Sequence, residues 1–119
     1  MAIFAMAVPI LPGKTEQWER FAGQLKGARL AEFKASRKKL EVHERTFLQK
    51  TPMGDLVIVT LEGDDPSAAF GKMVGSTDEF TKWFTERAKA LHGVDLTAPM
   101  TASPSELVLD SGRVAATAS

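Results

Sequence analysis

The sequence predicts an α+β domain in which helices pack on an antiparallel sheet. Three observations indicate this class. Residues 40–65 read LEVHERTFLQKTPMGDLVIVTLEGDD, two runs typical of strands that are joined by a short turn. A helix-forming stretch precedes this hairpin, and a second one, STDEFTKWFTERAKALHG, follows it. Short apolar runs near both ends of the chain supply further strands, so the remaining elements are organised around the hairpin.

The first strand is predicted at residues 3–10, a short apolar run that leads into a turn containing proline and glycine. A long amphipathic helix is predicted at residues 15–39, with Thr15 as its N-cap and apolar residues at helical spacing. Gly23 and Gly27 lie four residues apart on one face of this helix. Each lowers helix propensity by about 1 kcal/mol relative to alanine, so a kink is predicted near Gly27.

The hairpin has strands predicted at residues 41–50 and 55–62. The Thr-Pro-Met-Gly turn between them has proline in its second position and glycine in its fourth, which type I turns favour. Asp65 followed by Pro66 predicts the N-cap and first residue of a short helix, and Gly75 ends this helix.

A second long helix is predicted from its capping signals and its apolar stripe. Ser76 and Glu79 form a capping box, and the stripe stops at Gly93. His92, in the last turn, is predicted to cap the helix end, where a cation complements the helix dipole.

The C-terminal part of the chain is predicted to be less regular. Residues 94–104 contain two prolines and no periodicity, which is typical of an extended arm. Residues 106–109 form a short apolar run that predicts a fourth strand. We therefore predict one domain over residues 1–110 and a flexible tail at residues 111–119.

The predicted order of elements is strand, helix, strand, strand, helix pair, strand. This is the split βαβ, ferredoxin-like arrangement with a four-stranded antiparallel sheet. Helices cover one face of such a sheet, but the first and third strands carry apolar residues on both faces. The second face therefore also needs a cover, and a second copy of the chain is the simplest one. A homodimer is predicted.

The chain resembles the dimeric α+β barrel superfamily, and within it a small uncharacterised bacterial family. The resemblance rests on the order of elements and on the stretches FLQKTPMGDLVIVTLEGDDP and STDEFTKWFTERAKALHGVDL, and it covers residues 2–110. It implies two ferredoxin-like sheets paired into a barrel, with a ligand cavity inside or beside it. The superfamily includes cofactor-free monooxygenases, haem-degrading enzymes, isomerases and binding proteins without known chemistry, so the fold alone does not select an activity.

The amino-acid composition excludes some classes of function and disfavours others. The 15 basic and 15 acidic residues balance, so no nucleic-acid partner is expected. Cysteine is absent, which excludes disulfides and thiolate catalysis. Asparagine is also absent, which disfavours the haem-degrading activity that the resemblance implies for some members. No stretch approaches the roughly 20 apolar residues that span a bilayer, and no secretory signal is recognised, so we expect a cytoplasmic protein without a membrane partner.

The candidate catalytic residues lie on the first strand of the hairpin. Alternation puts His43 and Arg45 on one face and Val42, Glu44 and Leu48 on the other. Because the aliphatic residues suit the helix-covered side, His43 is predicted to face the dimer cavity as a proton acceptor, and Arg45 is predicted to hold a carboxylate or enolate there. If the parity is reversed, Glu44 replaces His43. The alternative is that these charges are the solvated or paired residues of an edge strand.

Four further residues are candidates for ligand binding: Phe47, Trp83, Arg29 and Arg87. Trp83 alternatively belongs to the core, and the two arginines alternatively extend from an apolar stripe into solvent. The two histidines of the chain have no metal-ligand spacing, so no metal is predicted. No cofactor motif is present in the sequence, and no cofactor is predicted.

These observations predict a homodimer that binds a small apolar or acidic organic ligand in a cavity. If the protein is an enzyme, we expect proton-transfer chemistry like that of a cofactor-free monooxygenase or an isomerase. The alternative is a non-catalytic homodimer with a binding or structural role.

Overall fold

The computed structural model describes residues 2–96 and 105–112. In this part of the chain the elements are β1 (Ala2–Pro9), α1 (Thr15–Lys26), α2 (Leu30–Lys39), β2 (Val42–Gln49), β3 (Leu56–Gly63), α3 (Pro66–Val74) and α4 (Glu79–His92). The three strands form one antiparallel sheet in the order β1-β3-β2. The predicted α+β class is confirmed.

The predicted long first helix is divided into α1 and α2 at the position where a kink was expected. Gly27 is the C-cap of α1, and its N–H donates to the Gln24 carbonyl. The N-cap of α1 is Lys14, so the prediction of Thr15 was wrong. Thr15 is instead the first helical residue, and its hydroxyl donates to Asp55 Oδ2 over 2.6 Å. A tertiary contact with the hairpin therefore replaces the local cap.

The predicted hairpin turn and the predicted N-cap of α3 are confirmed. The Gly54 N–H donates to the Thr51 carbonyl over 3.1 Å, which closes the turn between β2 and β3. Gly54 has a φ of 124°, a left-handed backbone conformation that favours glycine. The Asp65 carboxylate accepts a hydrogen bond from the Ala68 N–H, and Pro66 is the first residue of α3.

The N-cap of α4 is Asp78, so the predicted capping box at Ser76 was wrong. The Asp78 carboxylate accepts from the Thr81 N–H over 3.0 Å, and Ser76 donates its hydroxyl to the same carboxylate. The bond from Ser76, with the bonds from Thr81, lowers the pKa of Asp78 to about 2. The helix ends as predicted at Gly93, which has a φ of 71°.

The described C-terminal segment meets the sheet at one point. The Ser105 N–H donates to the Ala5 carbonyl over 2.8 Å in an antiparallel bridge, which places residue 105 at the free edge of β1. Residues 106–110 form no strand, so the predicted fourth strand at residues 106–109 is not present in the described part of the chain. Most of the predicted arm and tail lies outside the described residues.

The two faces of the sheet differ in what covers them. Phe4 on β1 pairs with Leu61 on β3, and both side chains are buried beneath the helices. Glu44 on β2 pairs with Leu61 from the other side and shares this face, as the alternation predicted. Ile3 and Phe47 lie on the opposite face and are each 52% exposed. The described helices therefore cover one face and leave an open face.

Two buried clusters hold the helices to the sheet. The first cluster joins α1 and α4 to one end of the sheet and consists of Ile10, Trp18, Phe21, Val57 and Leu91. The second joins α3 to β1 and β3 and consists of Phe4, Leu61, Phe70 and Met73. Each cluster buries apolar area and so stabilises the fold.

Candidate functional site

A cavity of about 480 Å³ lies between the helix-covered face of the sheet and helices α1, α2 and α4. Alternate strand residues form its floor: Met6, Val8, Val57, Val59, Leu48, Thr46 and Glu44. Helix residues form its roof: Trp18, Glu19, Phe21, Ala22, Leu25, Lys26, Leu30, Phe33, Phe84, Ala88 and His92. Glu19 and Lys26 are exposed, and Val94 and Leu96, which follow α4, complete the lining. The volume lies within the range of small-molecule sites, and a mostly apolar wall with a few polar groups is typical of them.

The first polar group of the cavity is Glu44, which is held by a buried ion pair. Arg37 Nε donates to Glu44 Oε1 over 2.6 Å, and each side chain is 7% exposed. The Thr46 hydroxyl donates to Glu44 Oε2 over 2.9 Å. Both carboxylate oxygens therefore accept hydrogen bonds.

Arg37 does not itself line the cavity, but its guanidinium contacts two aromatic residues that do. Its guanidinium carbon is 4.7 Å from the ring centroid of Phe33 and 5.0 Å from that of Phe84. Both distances suit cation–π attraction. Nη1 donates to the Ser36 hydroxyl over 2.8 Å. Nη2 is buried and has no hydrogen-bond partner among the described residues.

The sequence prediction missed Arg37. It is followed by two lysines and so resembles the solvated basic end of a helix. The signal that could have identified it is its spacing from Leu30 and Phe33, because positions i, i+3 and i+7 share one helix face. A charged residue on an apolar helix face needs a buried partner, and Glu44 is that partner.

His92 is another polar group of the cavity. Its Nδ1–H donates to the Pro9 carbonyl over 2.9 Å, so the ring joins α4 to the end of β1. His92 was predicted to cap the end of α4, but its ring instead contacts the backbone of β1. Burial lowers the pKa of His92 below the ordinary value of histidine, although the bond to Pro9 acts in the opposite direction. The neutral ring therefore predominates at neutral pH and leaves Nε2 as an acceptor.

Glu44 and His92 belong to different ends of the cavity. Glu44 is in the cross-strand row of Phe4, whereas His92 contacts Pro9, five residues further along β1. At roughly 3.3 Å per residue, these rows are about 16 Å apart along the strand. This separation is too large for the two groups to act on one reacting atom, but it suits a ligand with a polar group at either end.

The predicted catalytic residues His43 and Arg45 lie on the open face, away from this cavity. Arg45 forms an exposed ion pair with Glu62, and His43 is exposed opposite the same glutamate. Phe47 extends along the same face. Glu44, which was predicted only for reversed parity, reaches the cavity because the cavity is on the helix side. A role for His43 and Arg45 depends on a second subunit and stays a prediction.

The other three predicted ligand residues lie at the helix surface. Arg29 donates to both oxygens of Glu79, at 3.2 and 3.0 Å, and its guanidinium carbon is 4.3 Å from the ring centroid of Trp83. The hydrogen bonds from Arg29 lower the pKa of Glu79. Trp83 and Arg87 line a separate shallow groove between α1 and α4. These residues therefore do not share a site with Glu44.

Two searches for other kinds of site gave no candidate in the described residues. No three His, Asp or Glu side chains in residues 2–96 and 105–112 group as metal ligands. In the same residues, no helix combines the length and the apolar character needed to cross a bilayer.

No protein-family model matches this chain, and a search of curated proteins finds no match. The resemblance to the dimeric α+β barrel superfamily therefore stays a prediction.

The depressed pKa of His92 predicts how stability depends on pH. Below about pH 6.5 the unfolded histidine binds a proton more readily than the folded one, so the free energy of unfolding falls as pH falls. Urea denaturation at about pH 7.5 and about pH 5.5 should show a smaller fall for His92→Gln than for the wild type. The difference should stay below about 1.4 kcal/mol per pH unit, the limit for one group. Equal falls in the wild type and in His92→Gln would contradict the assignment.

Proposed function

We propose that this protein binds a small, largely apolar organic molecule in the cavity between the sheet and helices α1, α2 and α4. The observation that carries the proposal is the cavity of about 480 Å³ inside so small a domain. Its walls are mostly apolar, and it opens to solvent beside the exposed side chains of Glu19 and Lys26. An apolar occupant would remove this apolar surface from water.

We propose further that a homodimer forms through the open face of the sheet in a ferredoxin-like fold. The open face presents Ile3, Leu56, Ile58 and Phe47. The segment Leu107, Val108 and Leu109 is also apolar, and these side chains are 58%, 76% and 89% exposed. Exposed apolar side chains grouped on one sheet face are typical of an interface. A fourth strand continuing from residue 105 along β1 would complete the sheet.

The dimer is tested by placing a charge on the open face. Phe47→Glu is expected to convert a dimeric wild type into a monomer, because the carboxylate would be desolvated at the interface. Light scattering coupled to gel filtration at micromolar concentration measures the mass. Met53→Glu makes the same change at a fully exposed turn residue and should remain dimeric. A monomeric wild type would contradict the proposal.

Binding without catalysis is favoured over the enzymatic form of the proposal. Both carboxylate oxygens of Glu44 already accept hydrogen bonds, one from Arg37 and one from Thr46. His92, with a free Nε2, is the better proton acceptor, but it lies at the other end of the cavity. A monooxygenase-like or isomerase-like reaction would therefore use His92 or, in a dimer cavity, His43 and Arg45.

A cavity-filling variant tests the binding site. Prodan, an uncharged naphthyl ketone whose emission shifts to the blue in apolar surroundings, is the probe. Ala88→Leu adds a branched side chain to the cavity wall and should weaken prodan binding at least about tenfold, a change of about 1.4 kcal/mol. Ala90→Leu makes the same change on the exposed side of α4 and should bind as the wild type does.

Urea denaturation provides a check that Ala88→Leu is folded. Ala22→Leu on α1 is a second filling variant and should behave in the same way. The proposal fails if the wild type produces no blue shift, or if Ala88→Leu and Ala90→Leu bind prodan equally well.

A further inference from the structure

We infer that the groove between α1 and α4 binds the phosphate group of a small organic molecule. The groove is separate from the cavity, so this inference goes beyond the proposed function and does not depend on it. The groove has a volume of about 470 Å³ and is lined by Gln17, Arg20, Phe21, Gln24, Trp83 and Arg87.

Every polar side chain that lines the groove carries an N–H donor. Two of these side chains are guanidinium groups, two are amides, and one is the indole of Trp83. No carboxylate is among the described residues that line the groove. The groove therefore offers several donors and two positive charges, and the ligand that matches them is an anion with several oxygens.

The charges of Arg20 and Arg87 are not compensated by a salt bridge. Neither arginine has an ion-pair partner in residues 2–96 and 105–112. Glu19, beside Arg20, pairs instead with the residue that follows β2. Glu16, one turn before Arg20, and Glu86, beside Arg87, do not line the groove. Both guanidinium groups therefore remain available to a ligand.

Aromatic packing holds the two sides of the groove together. The ring centroids of Phe21 on α1 and Trp83 on α4 are 5.2 Å apart. The guanidinium carbon of Arg29 lies 4.3 Å from the Trp83 centroid and also restrains the indole. Arg20 immediately precedes Phe21, and Arg87 lies about one helical turn after Trp83. The two arginines therefore border the groove from opposite helices.

Two positive charges favour a phosphate group over a carboxylate. A phosphate ester carries a charge of about −1.5 to −2 at neutral pH and has three acceptor oxygens, whereas a carboxylate has a single charge and two oxygens. The 15 basic and 15 acidic residues of the chain balance, so no wide positive field attracts a polyanion such as a nucleic acid. A small organic phosphate, with its organic part against Trp83, is the expected occupant.

The two tryptophans of the chain report on the two sites separately, because Trp83 lines the groove and Trp18 lines the cavity. Their indole N–H signals can be followed by proton–nitrogen NMR, and Trp83→Phe assigns them. The ionic strength is kept constant because salt screens exposed charges. The compounds to be added are phenyl phosphate, inorganic phosphate, benzoate and benzyl alcohol.

Phenyl phosphate should shift the Trp83 signal and leave the Trp18 signal unchanged. It should bind at least about fivefold tighter than benzoate, as one further exposed charge contact allows. Inorganic phosphate should bind more weakly than phenyl phosphate, because it has no organic part to contact Trp83. Benzyl alcohol has no charge and should not shift the Trp83 signal.

Arg87→Met and Lys89→Met test whether the groove is the site. Each substitution removes one positive charge from α4, but Lys89 is exposed and does not line the groove. Arg87→Met should weaken the binding of phenyl phosphate about fivefold, and Lys89→Met should weaken it less than about twofold. Arg20→Met should behave as Arg87→Met does. Urea denaturation provides a check that each variant is folded.

The inference is overturned if phenyl phosphate leaves the Trp83 signal unchanged, or if it shifts the Trp18 signal instead. Equal weakening by Arg87→Met and Lys89→Met would indicate attraction to the charge of α4 and not a site. Benzoate binding as tightly as phenyl phosphate would overturn the assignment of a phosphate group, and inorganic phosphate binding as tightly would overturn that of an organic ester. If a variant does not fold, the four compounds in the wild type still decide. None of these outcomes affects the test with prodan in the cavity.

Discussion

Arg37→Ala is expected to lower the free energy of unfolding by about 3–5 kcal/mol. The reason is that the substitution leaves the Glu44 carboxylate buried without its counter-ion, and each side chain of the pair is 7% exposed. The cation–π contacts with Phe33 and Phe84 are lost at the same time. Urea denaturation followed by circular dichroism measures the change.

Two further variants show whether burial of the pair is the cause. Lys50→Ala breaks an ion pair with Glu19 on α1, where the lysine side chain is 63% exposed, and should cost less than about 1 kcal/mol. R37M/E44M should recover most of the stability lost in Arg37→Ala, because apolar residues of similar volume replace both charges. The explanation is wrong if Arg37→Ala and Lys50→Ala are equally stable.

Leu91→Ala is also expected to have a large effect. It should lower the free energy of unfolding by about 2–5 kcal/mol. Leu91 is 0% exposed and packs with Ile10, Trp18 and Val57 in the cluster that holds α4 and α1 to the sheet. Removing its side chain loses apolar burial and leaves a void beside the cavity. The same denaturation experiment measures the loss.

Met53→Ala is the control for this prediction. Met53 is 99% exposed in the turn between β2 and β3, so its truncation should change stability by less than about 0.5 kcal/mol. A loss for Leu91→Ala as small as the one for Met53→Ala would contradict the described core.

Local patterns predicted most of the fold. The alternation of β2 and β3, the Thr-Pro-Met-Gly turn and the Asp65 cap depend on neighbouring residues, so they could be recognised from the sequence. The caps predicted at Thr15 and Ser76 were wrong because other hydrogen bonds replace them. Asp55 of the hairpin accepts from the Thr15 hydroxyl, and Asp78 binds the Thr81 N–H that a local cap must satisfy.

The site was harder to predict because it depends on how helices pack against the sheet. Alternation assigned Glu44 and His43 to opposite faces of β2, but it could not indicate which face borders a cavity. The cavity forms where α1 and α4 present small residues such as Ala22 and Ala88 toward the sheet. The role of Arg37 depends on contacts with residues on two other elements. No local pattern encodes those distances.

Methyl NMR on β3 tests the location of the ligand most directly. Val57 and Val59 line the cavity, whereas Leu56 and Ile58 alternate with them on the open face of the same strand. Titration with prodan should shift the methyl signals of Val57 and Val59 strongly and those of Leu56 and Ile58 weakly. Larger shifts at Leu56 and Ile58 would place the ligand on the open face beside His43, and would contradict a binding site between the sheet and the helices.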